Sequence, residues 1–180
     1  MTRFDAEAPA ARRKLYVDAI TAHRTRASGF VTFEADESVF DSSTTDTETA
    51  LESDDAGDDD GSRAGSEGVG EGEDENGSEK EDEENLEVDL DPSLGVPWLQ
   101  FGDGTINLDC TDQELDRLKQ LLNDFPVFKI EEITRPEDAD GVNVHVSAKA
   151  DPNRIGQFID AVFQTVYGLP SSFRVWVVKL

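Results

Sequence analysis

Cys110, His23 and His145 are the chain's only cysteine and its two histidines, the residue types that bind metals or act as nucleophile and base. Their spacing supports neither role. The histidines stand far apart with no spaced cysteine partners, so they make no zinc pattern. Cys110 ends the alternating run Ile106, Leu108, Cys110 and precedes Thr111-Asp112-Gln113-Glu114. A helix N-terminus at that point can lower a thiol pKa, but a lone cysteine on the apolar side of a strand is core packing. The carboxylates Asp109, Asp112, Glu114 and Asp116 gather where a helix dipole and a capping box account for them. Gly102 and Gly104 turn a hairpin with no helix directly behind, so they form no phosphate loop. The reading is of a protein that is not an enzyme and carries no cofactor.

One metal-like pattern remains. Asp58, Asp60, Gly61 and Glu67 fall at positions 3, 5, 6 and 12 of a calcium loop. Position 1 is Ala56 and no amphipathic helix flanks the stretch, so the match is expected by chance in a segment this acidic.

The basic residues are the better candidates for an interaction surface. Arg12, Arg13 and Lys14 form a run, and His23, Arg24 and Arg26 follow three turns later. Further along, Lys129, His145, Lys149 and Arg174 fall on strand positions expected to face away from the helices, together with Trp176. Aromatic and basic side chains on such a face can stack bases and contact phosphates. Against that, Asn107 and Asp109 occupy the central strand where stacking rings are wanted, and no Arg/Lys-Gly-aromatic motif is present. The competing expectation places Trp176 under the N-terminal helix.

The elements that position these residues read clearly. Residues 6 to 27 form a helix, with Pro9 in its first turn and Ser28-Gly29 as its stop. Leu15, Tyr16, Ala19, Ile20 and His23 line its packing face. Phe30 to Ala35 is a short strand. Val96 to Phe101 and Thr105 to Cys110 make a hairpin about Gly102-Asp103-Gly104, and the Phe30 strand can pair with the Trp98 strand. Thr111 caps a helix whose stripe is Leu115, Leu118, Leu121, Leu122 and Phe125. Strands follow over Val127 to Ile133 and Val142 to Lys149, the second alternating cleanly. Asp151-Pro152 opens the last helix and Gly168 stops it. The final strand, Phe173 to Leu180, is apolar on both faces and so calls for cover on both. Its second face is expected to meet the N-terminal helix.

Strand, helix, strand, strand, helix, strand is the ferredoxin-like βαββαβ order. The expected fold is therefore an α+β two-layer sandwich, with that unit at the C-terminus extended by an N-terminal helix and strands. The rival is a meander of the Phe30, Trp98 and Ile106 strands with a different order. Three segments result: 1–35 packing on the core, 36–95 a disordered acidic insert, and 96–180 the core.

Charge divides the same way. The formal net charge is -25. Residues 1–33 carry +3 and residues 34–92 carry -23, too polar and repulsive to offset the entropy of ordering. The insert is either a solvated spacer or a competitor that folds back on the basic helix, in which case deleting residues 40–90 raises binding. Six Lys stand against ten Arg and 23 Asp, a balance similar to that of salt-in halophile proteins, where molar salt screens the self-repulsion. No apolar run reaches the ~20 residues of a membrane span. The first residues lack a signal-peptide pattern, so a cytoplasmic protein is expected.

Four stretches also carry a resemblance: Phe4-Asp5 through Arg12-Arg13 to Asp18–Arg24, Trp98–Phe101, Asn107–Thr111, and Tyr167-Gly168 with Arg174–Val178. Together they resemble a small family of uncharacterised haloarchaeal proteins over residues 4–35 and 97–180. That resemblance implies a compartment and a salt regime, and no activity. The functional expectation is a non-enzymatic binding or regulatory module that meets a protein partner or a second copy through an exposed edge or sheet face. Nucleic-acid binding is the alternative, and no membrane is involved.

Overall fold

Alternation of apolar and polar residues along six short segments produces the central feature of the computed structural model, a seven-stranded sheet. The structure describes residues 4–41 and 90–179. In chain order the elements are β1 (Phe4–Ala6), α1 (Pro9–Arg26), β2 (Val31–Ala35), β3 (Trp98–Gly102), β4 (Thr105–Cys110), α2 (Asp112–Asp124), β5 (Lys129–Thr134), β6 (Val142–Ser147), α3 (Pro152–Ala161) and β7 (Val175–Lys179). Single 3-10 turns stand at Glu37–Val39 and Pro92–Leu94. A π-type turn over Val162–Val166 continues α3. Most of the expected acidic insert, with its calcium-like pattern and its supposed contact with the basic helix, lies outside the described residues.

The strand order is β1-β7-β2-β3-β4-β6-β5, and every neighbouring pair is antiparallel. The described residues form a mixed α+β fold with three α-helices. β2, β3 and β4 form the meander, and β4-β6-β5 is the split βαβ arrangement. A four-stranded ferredoxin-like order would set β7 beside β4. Here β2 and β3 stand between them. Two inserted antiparallel strands preserve alternation, so β7 keeps the direction relative to β4 that the smaller order requires.

All three described α-helices lie on one side of the sheet. Val31, Phe33, Leu99, Phe101, Ile106, Leu108, Val142, Val144, Val146, Val175 and Val177 point to that side and are buried. Tyr16 of α1 meets the Phe33 ring edge-on at 5.3 Å, and His23 meets Phe101 at 5.5 Å. Phe128 stacks on Phe158 of α3 at 4.4 Å. α1 thus packs beside α3, not on the far side of β7 as the apolar final strand suggests. A Cβ on Gly156 would stand 3.2 Å from Tyr16 Cβ, so glycine permits this close approach of the two helices.

Local chemistry accounts for the helix ends. Thr111 Oγ1 accepts the Glu114 amide at 3.2 Å while Glu114 Oε2 accepts the Thr111 amide at 2.7 Å, the reciprocal capping box. Asp151 Oδ1 accepts the amides of Asn153 and Arg154. α1 closes on Ala27, left-handed at φ 50°. β1 is too short to show a period in sequence. Its pairing with β7, Asp5 opposite Trp176, is a tertiary event.

Candidate docking face of the sheet

With the helices on one side, the alternate residues of each strand form a second face that no described helix covers. Thr32, Glu34, Trp98, Gln100, Asn107, Asn143, His145 and Trp176 lie on it, each half-buried. Side chains bond sideways across the strands. Gln100 Nε2 donates to Thr32 Oγ1 at 3.3 Å. Asn143 Nδ2 donates to Asn107 Oδ1 at 2.7 Å and to Asp109 Oδ1 at 2.8 Å. Thr105 Oγ1 donates to Glu131 Oε2 at 3.2 Å. His145 Nδ1 stands 3.7 Å from Glu132 Oε2.

At one end of the face the register sets two tryptophans about a carboxylate. Glu34 of β2 is directly opposite Trp98 of β3 and directly opposite Trp176 of β7. Asp36, one residue beyond β2, accepts the Trp176 indole N–H at 2.6 Å. That bond, with those from Ser38, holds the Asp36 carboxyl below its usual range. Arg174 donates to Asp5 at 2.6 Å and to Glu7 at 2.7 Å, fastening β1 to β7. The Asp5 bond is the main reason its pKa is raised.

The sequence candidates divide into separate groups. Arg12 is in the core, with no exposed surface. Its Nε donates to Asp160 Oδ1 at 2.9 Å and its Nη1 donates to the carbonyls of Ser171 at 2.8 Å and Phe173 at 3.1 Å, and of Glu7. Its guanidinium lies 4.0 Å from the Phe173 ring centre. Asp160 also accepts from Tyr16 and Gln164. Expectation set Arg12 on a phosphate-binding surface; the structure makes it the brace between α1, α3 and the approach to β7. Arg13 is exposed on α1, and Lys14 pairs with Asp18 one turn on. Arg24 donates to the Ala150 carbonyl at 2.8 Å. Lys149 is exposed just past β6. His145, Arg174 and Trp176 do share the helix-free face. Four strand steps separate β6 from β7, however, so His145 and Trp176 are rooted about 19 Å apart. Trp176 is on the helix-free face and not beneath α1, because Val175 and Val177 take the helix side.

Charge further defines this face. Asp5, Glu34, Asp109, Glu131 and Glu132 occupy it against Lys129 and Arg174. Such a field favours a cationic visitor and opposes a phosphate backbone. Elsewhere, burial pushes the Cys110 thiol up to about 12, with Glu114 and Asp109 adding to the effect. Tyr167 donates to the Asp109 carbonyl at 2.6 Å beside it. That thiol is a packing group. Sequence reading overlooked Glu34 and Trp98, whose alternation with Phe33 and Leu99 was the available signal.

A family described as "Family of unknown function (DUF7975)" matches the chain over residues 1–58 and 66–180. The comparisons with curated proteins and with solved structures find no match. No described helix is long and apolar enough to cross a membrane.

Proposed function

The chain belongs to DUF7975, a family of unknown function, and we propose that it is a non-enzymatic docking module that binds a protein partner through the helix-free face of its sheet. One observation carries this reading: two half-buried tryptophans, Trp98 and Trp176, stand on that face on either side of Glu34. Tryptophan is enriched where interfaces concentrate their binding energy, because a large ring with few torsions can be covered at little entropic cost. Several of the described residues suited to chemistry have structural roles. Cys110 is packed, His23 is buried against Phe101, and Asp160 and Tyr16 serve the Arg12 brace. A cytoplasmic, salt-adapted setting fits the Asp-rich, Lys-poor composition.

The test is affinity capture at molar KCl with tagged wild-type chain and with Gln100→Arg, which sets a bulky cation in the middle of the face. A nuclease-resistant protein retained by wild type and lost by the variant supports the reading. Sedimentation of both chains identifies a second copy as that partner. Equal capture by both chains refutes the reading, and nuclease-sensitive capture replaces it with nucleic-acid binding.

A further inference from the structure

β1 is lightly attached to the sheet. It has three residues, pairs with β7 alone, and none of Phe4, Asp5 and Ala6 belongs to the hydrophobic core. Phe4 is 50% exposed. The side-chain ties are those of Asp5, and of Glu7 just behind it, to Arg174, at the surface where ion pairs contribute little. Glu7 and Ala8, which join β1 to α1, are exposed and border an open cleft with Pro9, Ser171 and Ser172. α1 is fixed independently of them, by Arg12 on Asp160, by Tyr16 against Phe33 and by its close approach to Gly156. If the joint opens at Glu7, Arg12 gives up one carbonyl and keeps those of Ser171 and Phe173. Beneath β1 the balance is reversed. Val175 and Val177 are buried core residues, and without β1 their strand would present an unpaired apolar edge. The core can spare β1, but β7 cannot stay bare.

We infer that β1 is an exchangeable strand: two copies of the chain dimerise by each placing its β1 on the β7 edge of the other, with Glu7-Ala8 as the hinge and Arg174 as the latch. A second copy is the occupant that this edge fits. Its β1 restores the same register, Phe4 opposite Val177 and Ala6 opposite Val175, and again sets Asp5 and Glu7 against Arg174. Exchange of identical elements needs no new complementary surface, which makes it a low-cost route to a dimer. Pro9 in the first turn of α1 marks where the hinge ends and the fixed helix begins. Both ties to Arg174 must part before β1 moves, so they set the rate of exchange and leave its end point unchanged. This inference does not rest on the docking role of the sheet face.

Positions 6 and 175 are directly opposite each other on antiparallel strands, where two cysteines come close enough to bridge. Full-length Ala6→Cys and full-length Val175→Cys, carrying different tags, are refolded together and oxidised. Each lacks the other's new thiol, so a bond between positions 6 and 175 forms only between copies. Peptide mass spectrometry separates it from any bond to Cys110. The double variant, with both changes in one chain, is the control for geometry. The mixture should give the 6–175 bond between chains, in a yield that falls on dilution. When the two chains are mixed already folded, adding Arg174→Ala to both should make that bond appear several-fold faster and reach the same final yield. Gln100→Arg should leave it unchanged, which separates exchange from self-association through the sheet face. Exchange is overturned if the double variant bridges within one chain while the mixture gives no bond between chains. Absence of the bond in both samples overturns it too, by removing the β1–β7 pairing it requires. An unchanged rate in Arg174→Ala overturns the latch, and loss of the bond in Gln100→Arg assigns the dimer to the face instead.

Discussion

Arg12 shows how one residue can change meaning once its surroundings are known. In sequence it begins a basic run; in the fold it is a buried cation with an aspartate, three carbonyls and an aromatic ring about it. Removing one member of such a pair leaves the other charged and dehydrated, which costs about 3–5 kcal/mol. Arg12→Ala should therefore lower unfolding free energy by that amount in a denaturant titration, whereas exposed Arg13→Ala should change it by under about 0.5 kcal/mol. Lysine at position 12 should rescue little, since one ammonium cannot span both the carboxylate and the carbonyls. Cys110 supplies a second residue-scale expectation. Its folded pKa lies above its ordinary 9.0, near 12, so the unfolded chain loses this proton first. The stability it contributes is complete below pH 9 and is lost as pH rises through the folded value. Disulfide-exchange labelling at pH 8 should be slow in the native state and fast in denaturant. Fast native labelling would contradict the burial.

At the scale of elements, the helices owe their positions to their ends and their single apolar stripes. The α2 capping box satisfies two amides that would otherwise lack partners. Thr111→Ala should cost about 1 kcal/mol, read from the thermal midpoint. A wild-type midpoint would mean that packing of Leu115, Leu118 and Leu121 alone sets the helix. β5 shows another local device. Its pairing with β6 shifts register between Ile130 and Glu132, and it carries Lys129, Glu131 and Glu132 on an exposed strand. A bulge and charges at a sheet edge discourage another strand from adding there, which directs attention to the face of the sheet and away from this edge.

For the whole molecule, the sheet joins both ends of the chain. β1 and β2 from the N-terminal segment enclose β7 from the C-terminal one. The pairing of β2 with β3 spans the acidic insert, and the described residues by themselves bury a continuous hydrophobic core. Replacing residues 42–89 by a short Gly-Ser linker should keep one cooperative unfolding transition. The shift in stability should be no more than about 2 kcal/mol, because loop-closure entropy changes slowly with length. Loss of cooperativity in that variant would mean the insert helps to hold the sheet together.

Most boundaries were legible in sequence because their causes are local. Pro9, Thr111, Asp151-Pro152 and Gly168 each act within a turn or two of where they stand, and the alternation of Val142 to Ala148 needs no partner to be recognised. Arg12 was legible in part: it precedes Tyr16 by four residues and so shares the stripe that Ala19, Ile20 and His23 continue. What determined the rest was pairing between distant segments. The position of β7 between β1 and β2 and the meeting of Glu34 with Trp98 and Trp176 all join residues separated by 60 or more positions. Period and composition assign each strand an inner and an outer face. Which outer residues become neighbours depends on strand order and register, which backbone hydrogen bonding and the burial of one shared core decide together.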